Sequence, residues 1–175
     1  MAVLALTTGC ENDIERINLI TDETKTPAVK GTNVKVIYSD SARIKVQILA
    51  PSFLQFPNVE RPYMEFPDGL DVFFYNDSQI IESEIRSDHT IYYMEERLWH
   101  ATGNVVAQSL ANGDALNTEE LYWDEASEMI YSETFTKIQN EDGTFYGKQG
   151  FESNQNLTNW QLKGTSGTVN VQDEE

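Results

Sequence analysis

Turn residues recur about every ten residues between Gly103 and Gly167, and none of the apolar runs between them is long enough for a helix. The runs are Val105–Val106, Leu121–Trp123, Met129–Tyr131, Phe135–Ile138 and Phe145–Tyr146. They are separated by Asn112–Asp114, Asp124–Ser127, Glu141–Gly143 and Ser153–Asn156. Asn and Asp fold back onto their own backbone and Gly accepts positive φ, so such spacing dictates an antiparallel meander. One segment, Asn117–Glu133, also carries a helical pattern. Asn117 and Glu120 could form a capping box, and Tyr122, Ala126, Met129, Ile130 and Glu133 recur at helical spacing. Against this, Leu121 and Trp123 alternate about Tyr122, and Asp124–Ser127 can turn. A hairpin of Glu120–Trp123 with Glu128–Thr134 is therefore expected, burying Leu121, Trp123 and Ile130.

Upstream the same logic continues. Regular structure is expected from Asn33, with Val34–Tyr38 and Ala42–Leu49 as the first strands. In the second, Arg43, Lys45 and Gln47 alternate with Ile44, Val46 and Ile48, the signature of a half-buried strand. Pro51–Pro62 reads as a connection or an edge, because proline cannot donate to a ladder. Tyr63–Phe66 and Leu70–Tyr75 flank Pro67–Gly69 and predict a hairpin, with Asp71 outward and Leu70, Val72 and Phe74 on the other face. Ile80–Ile85 and His89–Met94 repeat that scheme, and Leu98–Thr102 follows. Roughly nine to twelve strands in one domain suggest a long sheet that curls to bury its apolar face.

The 175 residues suit one domain rather than two. With 12 Lys plus Arg against 29 Asp plus Glu, the net charge of -17 repels nucleic acid phosphates. Eight Tyr, eight Phe and three Trp in alternating runs argue against disorder. No enzyme signature is present. His89 and His100 lie in separate strands without metal-ligand spacing, no serine sits in a nucleophile elbow, and Gly147–Gly150 lacks the spacing of a phosphate loop. Catalytic residues, metal ligands and cofactors are expected to be none.

The chain opens with an apolar, then small, segment ending at Cys10, the single cysteine, followed by a polar stretch. This order resembles the end of a bacterial lipoprotein signal, in which Cys10 becomes lipidated. It lacks a basic n-region, and its apolar part is short. The expected organisation is a signal remnant at 1–10, a polar tether at 11–32, a β domain at 33–170 and an acidic tail at 171–175. Acyl chains on Cys10 would anchor the protein to a membrane, each buried CH₂ adding roughly 0.8 kcal/mol.

The ordered series GNVVAQSLANGDALNTEELYWD, EMIYSETFTKI, DGTFYGKQGFESNQNLTNW and LKGTSGTV resembles the C-terminal part of the LptC family, the periplasmic component of lipopolysaccharide export. GTNVKVIYSDSARIKVQILAPSF and YMEFPDGLDVFFYNDSQIIESEIRSDHTIYYM are similar to its N-terminal strands. The resemblance runs from about Gly31 to Val169 and rests on the order of the segments, not on any one motif. It implies a twisted, open-ended β-jellyroll in the periplasm, at the inner membrane.

The large residues of the strand faces are Ile44, Val46, Ile48, Val72, Phe74, Ile91, Tyr93, Val106, Leu121, Trp123, Ile130 and Phe135. On sequence alone they either pack on an opposing wall or line an open groove. The resemblance implies the groove, holding the lipid A acyl chains of lipopolysaccharide. It also implies end-to-end joining through sheet edges. The edge around Val34–Tyr38 would meet periplasmic domains of the transporter's membrane subunits, and Trp160–Val169 would meet a periplasmic bridge protein. Alternatives are a structural adaptor without lipid contact, or a β-sandwich lipoprotein that binds protein or carbohydrate, stacking sugar on Trp99, Trp123 and Trp160.

Overall fold

The structure, a computed structural model, describes residues 26–169. Cys10 and its signal-type segment, most of the tether and the acidic tail lie outside the described residues. The strands are β1 (Val29–Asp40), β2 (Arg43–Phe56), β3 (Tyr63–Phe66), β4 (Leu70–Tyr75), β5 (Ile81–Ser87), β6 (His89–Tyr93) and β7 (Leu98–Ser109). They continue as β8 (Ala115–Asp124), β9 (Met129–Ser132), β10 (Thr136–Asn140), β11 (Gly143–Gly147), β12 (Phe151–Asn154), β13 (Trp160–Leu162) and β14 (Thr165–Val169). All pair antiparallel in one sheet, as expected of a β-jellyroll-like fold. β1 begins at Val29, ahead of the expected Asn33.

The register shows that many of these strands are halves of longer, bent ones. β3 and β4 lie in succession along the same side of β2, with Glu65 opposite Leu54 and Asp71 opposite Leu49. β5 and β6 continue each other beside them, Ser87 facing Leu70 and Thr90 facing Phe66. β7 passes the same line unbroken, but its registers with β8 shift between Thr102 and Val105. Beyond β8, the pairs β9 with β10, β12 with β11 and β13 with β14 repeat the break. The expected hairpin of Tyr63–Phe66 with Leu70–Tyr75 is thereby corrected. Gly69 N–H bonds the Phe66 carbonyl at 3.2 Å, but the turn offsets the chain without reversing it. The similar scheme for Ile80–Ile85 and His89–Met94 fails likewise, because only Asp88 separates β5 from β6.

Each corner has a local cause. At Gly69 φ is 75°, and a Cβ there would lie 2.1 Å from the Ser87 carbonyl oxygen, so the neighbouring strand demands a residue without a side chain. Pro51 corrects another expectation, since β2 runs through it. On one side of β2, Pro51 falls where pairing passes from β4, ending at Leu49, to β3, beginning at Leu54. On the other side the ladder with β1 skips from Ala50 to Ser52, opposite Asn33, whose φ is 52°. A residue lacking an N–H sits where no ladder bond is required.

The hairpin expected within Asn117–Glu133 is present: Tyr122 pairs with Tyr131 and Trp123 with Ile130. Tertiary alternation overrides the helical spacing, because Leu121, Trp123 and Ile130 reach the core only from strands.

The line of corners folds the sheet into two facing walls. One holds the first half of β2, β4, β5, the second half of β7 and β10. The other holds β3, β6, the first half of β7, the end of β8, β9 and β12. A single core fills the space between, from Val46, Val72 and Phe74 across to Trp99, Trp123 and Phe151.

An apolar groove between the walls

The walls pack unevenly. Toward β10 and β12 the interior is filled by Leu116, Ile138, Phe151 and Leu157, leaving a cavity of about 10 Å³. Toward β1 they part around a groove of about 800 Å³. One wall contributes Val46, Ile48 and Phe74, extended by Val36 and Tyr38 of β1; the other contributes Met64, Phe66, Tyr92, Trp99 and Trp123. The aromatic side is a continuous stack: Tyr92 on Trp99 at 4.4 Å, Phe66 on Trp99 at 5.7 Å and Trp99 on Trp123 at 5.8 Å between ring centroids. Val36 and Tyr38 face inward because they pair with Ile48 and Val46, yet they stay exposed, since no described residue covers them. Ile37, between them, points the other way and is exposed too.

Charges are confined to the lips. On one lip Lys45 donates to Asp77 at 2.8 Å, and that bond raises the lysine pKa and lowers that of the aspartate. Gln79 braces this lip by exchanging bonds with the Ile44 backbone, 2.9 Å from its N–H and 3.1 Å to its carbonyl. On the other lip Glu125 accepts from Arg97 Nε at 3.1 Å and from Trp99 Nε1 at 2.7 Å. Burial raises the pKa of Tyr92 in the floor, with Glu125 adding to it. Across the inner end, Ser83 Oγ donates to the Gln155 carbonyl at 3.2 Å and ties the two walls together.

Of the residues expected to line a groove, Val46, Ile48, Phe74 and Trp123 do so. Val72, Leu121 and Ile130 lie in the buried core, and Ile44 is half-buried beside Gln79. Ile91, Tyr93, Val106 and Phe135 are placed elsewhere. Phe66 pairs with Thr90, so Thr90 and Tyr92 of β6 face inward and Ile91 and Tyr93 outward, where the Arg61 guanidinium covers Tyr93 at 3.3 Å. The bulge at Gly103–Asn104 turns Val105 in and Val106 out. Phe135 sits at a corner, exposed, against Tyr146. Sequence reasoning missed Tyr92, Trp99 and Phe66 as lining residues. The alternation of Trp99 with Ala101 was a usable signal, whereas the unbroken run Ile91–Tyr93 was not. Trp99 and Trp123 are 9% and 7% exposed and Trp160 is half-buried, which leaves no outward tryptophan platform for a sugar.

Among the described residues, both ends of the sheet are unpaired. Of the described strands, β1 bonds only β2, β13 only β12 and β14 only β11. The family model described as "Lipopolysaccharide-assembly, LptC-related" matches residues 1–172. The chain belongs to the LptC family. No curated protein matches it. LptC membership implies a role in lipopolysaccharide transport, with lipopolysaccharide and components of its transport system as partners. LptC proteins are periplasmic and associated with the inner membrane, and LptC is not a known enzyme family. No group of metal-ligating side chains occurs among the described residues.

Proposed function

We propose that this LptC-family chain accepts lipopolysaccharide from the inner-membrane transporter and holds its acyl chains in the groove between the two walls. It then passes them to a periplasmic bridge protein. The observation that carries this reading is the groove itself: about 800 Å³, with an aromatic and aliphatic interior and its charges held at the lips. Apolar burial contributes roughly 25 cal/mol per Å² and needs no directional bond, so a chain is held firmly and can still slide. The unpaired β1 edge suits the transporter side, and β13 and β14 suit the bridge, each by addition of a strand. Lipidation at Cys10 would hold the domain at the inner membrane.

The test places a photo-crosslinking side chain at Val36, at Tyr38 and, as control, at Ile37. All three are exposed on one strand, and only the first two line the groove. Incubation with lipopolysaccharide under ultraviolet light should give lipid adducts at Val36 and Tyr38 and not at Ile37. Equal labelling at all three, or none, would sink the groove reading.

A further inference from the structure

Two of the three tryptophans have their indole donors satisfied by carboxylates: Trp99 by Glu125 at 2.7 Å and Trp160 by Asp114 at 2.8 Å. Trp123 does not. Its Nε1 is buried without a partner, although the residue is only 7% exposed. An unpaired buried N–H costs stability, and folds rarely retain one without a use. The other such side-chain atom among the described residues, Ser109 Oγ, belongs to a residue outside the groove lining.

The position of Trp123 is informative. From the lip inward, the second wall presents Arg97 and Glu125, then the cross-strand pair Trp99 and Trp123, then Phe66. The sequence of chemistries is charge, an indole pair with one unpaired N–H, then hydrocarbon. An acylated amphiphile has the same order: a polar head, the carbonyl of its ester or amide, then the chain. A carbonyl oxygen is an acceptor of the kind that an indole N–H can pair with.

We infer that Trp123 Nε1–H is the groove's donor to the carbonyl of an acyl ester or amide, and that it makes the groove prefer acylated lipids over alkyl ethers. The inference rests on the lipid-groove reading above. The nitrogen is buried, and the Trp123 ring meets Phe74 edge to face with the ring centroids 5.0 Å apart, so the bond requires this packing to open for the incoming chain.

Two probes with one headgroup separate the donor from the groove: lauroyl-lysophosphatidylcholine and its dodecyl ether analogue, both kept below their micelle concentrations. The full chain is isotope-labelled at the indole nitrogens, and the Trp123 resonance is identified with Trp99→Phe and Trp160→Phe. The ester should bind about tenfold more tightly than the ether. It alone should move the Trp123 indole proton downfield, and Trp123→Phe should reduce ester affinity to that of the ether. Equal affinities with a stationary Trp123 resonance would overturn the donor role and leave the groove intact. Failure of both lipids to bind would overturn the groove reading and this inference with it. The resonance in the unmutated side chain decides the matter even if Trp123→Phe does not fold.

Discussion

Phe74 and Trp123 meet across the interior with ring centroids 5.0 Å apart and planes at 82°, one from β4 and the other from β8. This edge-to-face contact joins the two walls where the groove gives way to the packed core. Removing it tests how the walls are held. Phe74→Ala should cost about 3–5 kcal/mol of unfolding free energy, read as a lower urea midpoint. A loss below about 1 kcal/mol would mean that the walls stand without it.

Gly150 is the counterpart of Gly69 farther along the corner line. Its φ is 104°, and an added Cβ would fall 2.0 Å from the Ser132 carbonyl oxygen. Gly150→Ala should therefore destabilise by about 2 kcal/mol or more, while Gly113→Ala, where a Cβ meets nothing within 4 Å, should cost less. Thermal unfolding of the two variants side by side measures the difference. Equal midpoints would refute the corner as a steric requirement.

Leu157 lies on the loop before β13 with φ 57°, yet it is 3% exposed, inserted beside Phe151 and Trp160. Leu157→Ala should cost about 2–4 kcal/mol through the cavity it leaves. Urea denaturation that shows no loss would mean that the loop repacks.

Tyr122, on the outer face, stacks between His100 and Tyr131 and donates to Glu120 Oε1 at 2.9 Å. Burial first, then that bond, pushes its pKa up to about 12. The folded state thus keeps a proton that the unfolded chain gives up near pH 10. The resulting stability is fully present below pH 10 and is lost as pH rises toward 12. In a spectrophotometric titration of the native protein, Tyr122 should ionise last, and Tyr122→Phe should remove the highest-pH step. A last step unchanged by that substitution would assign it to another tyrosine.

The fold class could be read from the turn spacing and the alternation, because period-two patterning survives any bend in the strand. Val46, Ile48, Phe74 and Trp123 were legible as interior for that reason. The corners were not. Pro67–Gly69 carries the residues of a reversing turn, and only the presence of β2 on the same side of both flanking strands shows that the chain continues forward. A bulge resets which neighbour faces inward, so Val105 and Val106 exchanged places, and a run that is apolar on both faces, such as Ile91–Tyr93, contains no phase to read. The lining role of Val36 and Tyr38 was hidden differently. Their alternation was visible, but that no described strand covers them is a property of the tertiary fold alone.

β1 runs beside β2 from Val29 to Asp40 without a gap longer than Asn33, so it borders both walls at once. At the opposite end the border is divided between β13 and β14. A visiting strand laid along β1 would therefore prolong floor and roof together and carry the trough across the junction as a seamless gutter. At the far end, two separate grips are needed to do the same.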